Sequence, residues 1–307
     1  MELAELDAHR GVARTAAGEV SYVDVGSGPP AVFLHGLGTN AYLWRHVIGA
    51  LAGERRCVAV DLPVHGRSRA AAGQDLSLNG LADAVRGTLD ALGLDRVDLV
   101  GNDTGGALAQ MLAARTPQLL RTLTLTNCET DGNIPNPSFR GTIGWAAEGT
   151  LAPRLVGMYE RLEQTAPQQR PLAGGHERPQ DLPIAVHRAY LEPIAGRLDT
   201  ARDFERMLVA IDPEHLRAAV PGLRELTVPT LVVWGNADPH YGMDWAYWLR
   251  DTIPGVTEVV ELDGAKLFLP DERAGNLVAC LRRHWAAAGE PTGDPAGDPA
   301  GDLAGRS

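Results

Sequence analysis

Between Val20 and Asn127 the chain alternates short, nearly continuous apolar runs with segments whose apolar residues recur at helical spacing. A strand buried on both faces has no polar side, and a parallel neighbour is reached only through a crossover long enough to hold a helix. Strands are expected at 20–25, 31–34, 57–61, 97–101 and 122–127, then much later at 230–235 and 259–262, all but the first as continuous apolar stretches. Helices are expected at 41–51, 78–92 and 106–115, with Gly93 placed to end the second. The fold class that follows is α/β, a doubly wound, mostly parallel sheet.

From 131 to 225 the alternation stops, and the segment reads as helices and Pro-rich loops without a convincing strand. Its apolar content, with Phe139, Met158, Phe204 and Met207 among others, is too high for a disordered linker. A helical cap spliced into the core is expected there, with the α/β core formed by 1–130 and 226–289. The last segment, 290–307, repeats Gly-Asp-Pro-Ala without apolar residues to pack, and is expected to be a disordered, acidic, low-complexity tail.

Composition narrows the function. With 307 residues and 44% hydrophobic content the chain can enclose one large core beneath a cap. Against 39 Asp and Glu stand 28 Lys and Arg, a formal charge of −11, which opposes binding to nucleic acid or anionic membranes. The start Met1-Glu2-Leu3-Ala4-Glu5-Leu6-Asp7 has neither a basic nor an apolar targeting character, and no apolar run approaches the ~20 residues that cross a bilayer. A cytoplasmic location is expected, and reduced thiols agree with it: Cys57, Cys128 and Cys280 are odd in number and widely spaced. No dinucleotide-binding glycine turn follows a strand, and the histidines lack metal-ligand spacing, so neither cofactor nor metal is expected. The expected partner is a small molecule; the oligomeric state stays open, self-association included.

Chemistry concentrates at Val97-Asp98-Leu99-Val100-Gly101-Asn102-Asp103-Thr104-Gly105-Gly106, where a strand runs into a helix through Gly-x-Asp-x-Gly-Gly. Small neighbours let two backbones cross closely at a strained turn, and the helix N-terminus offers N–H groups to an anion. Such a turn is a nucleophile elbow, here carrying Asp103 where serine is usual. Helix capping by Asp103 is the alternative. Two further motifs weigh against it: Phe33-Leu34-His35-Gly36-Leu37-Gly38 after one strand, and Asp61-Leu62-Pro63-Val64-His65-Gly66-Arg67-Ser68 after the next.

With these motifs in order, residues 20 to about 285 resemble the α/β-hydrolase superfamily, and the aspartate at the elbow resembles its haloalkane dehalogenase and epoxide hydrolase branch. The resemblance implies an oxyanion hole from the N–H groups of Leu37 and Thr104. It also implies a triad acid after the strand 230–235, where Asp238 stands, with Glu129 as a fallback carboxylate. Relatives that release halide usually carry Trp directly after the nucleophile; Thr104 stands there, and Leu37 adds no side-chain donor, which weakens dehalogenation.

The base departs from the family pattern. Where Gly-His is usual after the last strand, the chain has Leu262-Asp263-Gly264-Ala265-Lys266-Leu267, with Leu267 in the histidine position. An aspartyl ester is released by water that this histidine deprotonates, so without it the ester should persist. His65 and His240 are the candidate substitutes, and Lys266 is another should burial depress its pKa. Alternatively Asp103 acts as a general acid or base in cyclisation, elimination or isomerisation, or the scaffold binds a ligand without turnover. His35 is expected to support its own loop; His46, His176, His187 and His215 are expected in solvated positions, and His284 at the surface. Trp145, Tyr159 and Tyr190 are the candidate substrate-binding residues of the cap, the tyrosines as O–H donors.

Overall fold

Eight strands among the described residues build one sheet: β1 (Arg10–Thr15), β2 (Gly18–Val25), β3 (Pro30–Leu34), β4 (Arg56–Val60), β5 (Val97–Asp103), β6 (Leu120–Cys128), β7 (Thr230–Gly235) and β8 (Val256–Leu262). Their order is β1-β2-β4-β3-β5-β6-β7-β8. β2 pairs antiparallel with β1 and β4, and every other pair is parallel. This computed structural model describes residues 1–289, so the tail expected at 290–307 lies outside the described residues.

The central strands are as apolar as the sequence predicts. β5, β6 and β7 are buried along their whole length, because helices cover both faces of the sheet. Two edges differ. β8, expected as a continuous buried run, is half exposed and turns Glu258 and Glu261 outward, which blunts an unpaired edge. At the opposite edge stands β1, which the sequence does not announce because Arg10-Gly11-Val12-Ala13-Arg14-Thr15 lacks an apolar run.

The helix expected at 41–51 begins as a 3₁₀ turn, Ala41–Trp44, capped by the Asn40 side chain, and continues as Arg45–Leu51. The other two are Leu78–Ala91 and Thr104–Arg115. β3 leads to β4 on one side and lies beside β5 on the other, so the strand order reverses there. In open α/β sheets a crevice opens at such a point beyond the strands' carboxyl ends. Asp103 ends β5 at this crevice.

Between β6 and β7 the chain forms Arg140–Ala147, Leu151–Glu160, Ile184–Ala195, Leu198–Val209, Pro213–Arg217 and Val220–Arg224, with no strand among the described residues. Helices Leu151–Glu160, Ile184–Ala195 and Leu198–Val209 pack on one another. A buried knot fastens this insertion to the core. Arg45 meets Asp271 at 2.7 Å, and Tyr190 accepts from Arg45 at 3.2 Å while donating to Asp271 at 3.4 Å. No described helix is long and apolar enough to cross a membrane.

Candidate functional site

The elbow is built by glycines. A Cβ on Gly101 would stand 2.7 Å from the Gly106 Cα, one on Gly105 would run into the Leu34 and His35 carbonyls, and one on Gly36 would fall inside the Asp103 carboxyl. These contacts leave no alternative to glycine and hold Asp103 at φ 54°, ψ −132°, a strained geometry for a side-chain-bearing residue. Asp103 does not cap the helix it precedes: its side chain makes no hydrogen bond to that N-terminus. Instead it lines a cavity of about 340 Å³ between the sheet and the insertion, with Leu37, Phe139, Phe204, Leu267 and Phe268 among its apolar walls.

Within this floor Asp103 is only 3% exposed. Its Oδ1 accepts from the Tyr241 hydroxyl at 2.8 Å, and the Leu37 backbone N–H also supports the carboxylate. Glu129, just past β6, is buried as well, and its Oε1 accepts from the Thr104 hydroxyl at 2.9 Å. Burial pushes Asp103 well above the ordinary carboxylate range and the Glu129 charge pushes it further, while Tyr241 and Leu37 pull it down. Burial likewise raises Glu129, against the Thr104 hydrogen bond. Tyr241 is raised by burial and by the two carboxylates. Asp103 has no ion pair among the described residues.

Asp238 stands beyond β7, 7% exposed, with Oδ2 accepting from Asn127 Nδ2 at 2.7 Å and Oδ1 from the His240 backbone N–H at 2.8 Å. Burial lifts it to about 6 against these donors. Among the described residues no imidazole hydrogen-bonds to Asp103 or Asp238: Leu267, 4% exposed, fills the histidine position and presents an apolar wall to the cavity.

The two candidate histidines separate. His65 is fully buried with both ring nitrogens engaged, Nε2 accepting from the Gly38 N–H at 3.1 Å and Nδ1 against the Pro63 carbonyl at 3.1 Å. Burial lowers it to about 3, so it is a neutral strut for the loop that carries Leu37. His240 does line the cavity with Asp103, its Nδ1 paired to the Ser138 hydroxyl at 2.8 Å. Burial lowers its pKa, and the Lys266 charge adds to this. His35 supports its turn as expected, accepting from the Leu62 N–H at 2.9 Å.

The three aromatic candidates of the insertion lie elsewhere. Trp145 is exposed and stacks beneath the Arg154 guanidinium at 4.7 Å. Tyr159 faces a separate polar cleft shared with Arg10 and Arg67. Its own helix instead sends Leu155 and Met158, three residues apart and so on one face, into the Asp103 cavity. Tyr190 spends its hydroxyl on the Arg45–Asp271 knot. His176, His187 and His284, expected in solvent, are buried: His176 packs on Phe268 at 4.6 Å and His187 binds the Pro171 carbonyl at 3.0 Å.

Tyr241 is the site residue the sequence did not single out. Its signal was its place, three residues past Asp238 in the turn after β7, together with the need of a buried phenol for a partner.

A family model described as the alpha/beta hydrolase fold matches residues 29–272. The chain is 28% identical over 287 residues to haloalkane dehalogenase 2 of Mycobacterium tuberculosis, covering 87% of this chain and 91% of the relative. It is 32% identical to a 2-hydroxy-6-oxononadienedioate/2-hydroxy-6-oxononatrienedioate hydrolase of Dechloromonas aromatica, over 74% and 76% of the two chains. Among solved structures, the epoxide hydrolase CorEH superposes with a TM-score of 0.75 at 21% identity, covering 91% of this chain and 98% of that one. Haloalkane dehalogenase DbeA of Bradyrhizobium elkani does so with a TM-score of 0.71 at 25% identity, over 91% and 99%. The ordered motifs, the reversal of strand order at β3 and the elbow at the end of β5 have one common explanation: this chain belongs to the α/β-hydrolase fold family.

Proposed function

We propose that the chain transforms a small, largely apolar molecule in the cavity between the sheet and its helical cap, and that Asp103 works there by moving a proton. The observation that carries this is a buried carboxyl at the cavity floor, near a second buried carboxyl and, among the described residues, without a cation or imidazole on it. Two such acids cannot both ionise cheaply, so burial and mutual repulsion favour a proton held between Asp103 and Glu129. A carboxyl that holds a proton is a poor nucleophile and a capable general acid. Once deprotonated, it is a strong base in an apolar site.

Hydrolysis by direct attack of water then needs no covalent intermediate: the ionised carboxyl of the pair takes the proton of the water while the protonated one gives its own to the leaving oxygen, so the pair ends with the one proton it began with. In this reading the Thr104 N–H and the Leu37 N–H, which also supports the Asp103 carboxylate, are the donors to a developing negative oxygen. The same proton transfer without water serves isomerisation or cyclisation. Among substrates, epoxides, esters and lactones fit this chemistry better than haloalkanes, because neither Leu37 nor Thr104 presents a side-chain N–H to a departing halide.

A second reading keeps Asp103 as a nucleophile that forms an aspartyl ester. Its support is the elbow position and the relatives named as haloalkane dehalogenases, with His240 as the imidazole that shares the cavity. Single-turnover reaction in ¹⁸O-water with an aryl epoxide, a phenyl ester and a primary haloalkane separates the two. We expect label in the first product and none in the Asp103 peptide. Label in Asp103 with unlabelled first product would establish the ester and overturn the proton-transfer role. Product formed without label in either place would assign the non-hydrolytic form of the same role.

A further inference from the structure

We infer that Tyr241 takes over the place left by the absent imidazole: its hydroxyl governs the protonation of Asp103, and Asp238 acts as a positioning residue that aims it. The inference rests on Asp103 being the reacting group.

In the pattern this chain resembles, the acid beyond β7 orients a side-chain N–H that faces the nucleophile. Here its carboxylate holds backbone instead. Asp238 accepts the His240 N–H at 2.8 Å, and the Tyr241 N–H also supports it. Asn127 fixes Asp238 from the other side at 2.7 Å and is itself tied to both ends of Gly235, accepting its N–H at 2.7 Å and donating to its carbonyl at 3.1 Å. The Trp234 indole N–H donates to the Tyr241 carbonyl at 2.8 Å, and Asn136 donates to the His240 carbonyl at 2.5 Å. The peptides 239–240, 240–241 and 241–242 are thus each held by a side chain. What this clamp delivers is one phenol, 1% exposed, with its hydroxyl 2.8 Å from Asp103 Oδ1.

The groups facing Asp103 are few. The end of β6 supplies Glu129 and the Cys128 thiol, the turn after β7 supplies Tyr241 and Asp238, and the loop after β3 supplies the Leu37 N–H. Lys266, after β8, acts on Asp238 and His240. Among the described residues Tyr241 is therefore the side-chain donor to Asp103 and favours its ionised form, and the same hydroxyl also supports ionised Glu129. Asp238 has two opposed influences: its own charge disfavours ionisation of Asp103, while its hold on Tyr241 favours it.

That opposition supplies the test, on the full-length chain without substrate. Aspartate Cγ is labelled with ¹³C, the Asp103 resonance is identified by its loss in Asp103→Asn, and its midpoint is followed with pH. Tyr241→Phe is expected to raise the midpoint by at least about half a pH unit, roughly a threefold gain in proton affinity. A 2,3-difluorotyrosine at position 241, a stronger donor of nearly the same shape, is expected to lower it. Asp238→Ala is expected to raise the midpoint in the native background and to lower it in Tyr241→Phe, where only the charge effect remains. An unmoved midpoint in Tyr241→Phe overturns the role of Tyr241. A lowered midpoint for Asp238→Ala in both backgrounds overturns that of Asp238. The proton-transfer proposal fails separately, in the labelled-water experiment.

Discussion

Asp103 and His65 are both buried, yet the consequences of burial differ because their partners differ. Both His65 nitrogens are used by backbone, one accepting from Gly38, so the ring is fixed as a neutral strut. Replacing it by Leu leaves the Gly38 N–H without its acceptor, an expected loss of about 1–3 kcal/mol in denaturant unfolding. Since His65 titrates near 3, the pH profile of turnover between pH 5 and 9 should keep its shape in that variant. A profile that loses a limb would instead make His65 the base. Gly36 is the complementary case. A methyl there occupies the space of the Asp103 carboxyl, so Gly36→Ala is expected to unseat that side chain and reduce turnover at least about a hundredfold. The scaffold should lose only about 1–3 kcal/mol, the usual penalty for overpacking. Equal kcat in the two proteins would refute the close approach.

At the scale of elements, what could be read from sequence depended on whether burial alone decided the outcome. β3 to β7 were legible because each is enclosed by helices and so carries an apolar run, even where polar residues such as Asp98 and Thr122 are buried within it; β1 and the exposed half of β8 were not, because an edge strand has no such demand. The elbow was legible because contacts at Gly101, Gly105 and Gly36 admit only glycine. In the insertion, the existence of helices followed from apolar content, but the direction of each face did not. Tyr190 is consequently found in a core-to-insertion knot and Tyr159 in a neighbouring cleft, while Leu155 and Met158 face the cavity. The knot carries its own prediction. Asp271→Ala leaves the Arg45 guanidinium buried without its carboxylate, an expected cost of about 3–5 kcal/mol. Tyr190→Phe removes only one hydroxyl, at about 1 kcal/mol. Hydrogen exchange should report the difference as faster opening of Ile184–Ala195 in Asp271→Ala, and uniform protection in that variant would show that the knot does not fasten the insertion.

For the molecule as a whole, the site is a source of instability that grows with pH. Asp103, Glu129 and Asp238 all have folded pKa values above their ordinary ones, chiefly through burial, so folding takes up protons and stability falls as pH rises through the raised values. For Asp238 the window runs from 3.8 to about 6, and at about 1.4 kcal/mol per pH unit this one group forfeits roughly 3 kcal/mol across it. Asp103 lies well above its ordinary value, so its part of the loss begins near the same pH. Asp103→Asn removes that part while keeping the shape and an acceptor for Tyr241. Near pH 4, where Asp103 is protonated in the folded protein and half-protonated in the unfolded chain, the variant should match the parent within about 1 kcal/mol. Its advantage should then widen by up to about 1.4 kcal/mol per pH unit until the folded value of Asp103 is passed. Urea unfolding at pH 4 to 8 measures this directly. An advantage that does not change with pH would mean that folding leaves the pKa of Asp103 at its unfolded value. The charge deficit around the cavity would then be met by another group, and the proton-transfer role would lose its physical basis.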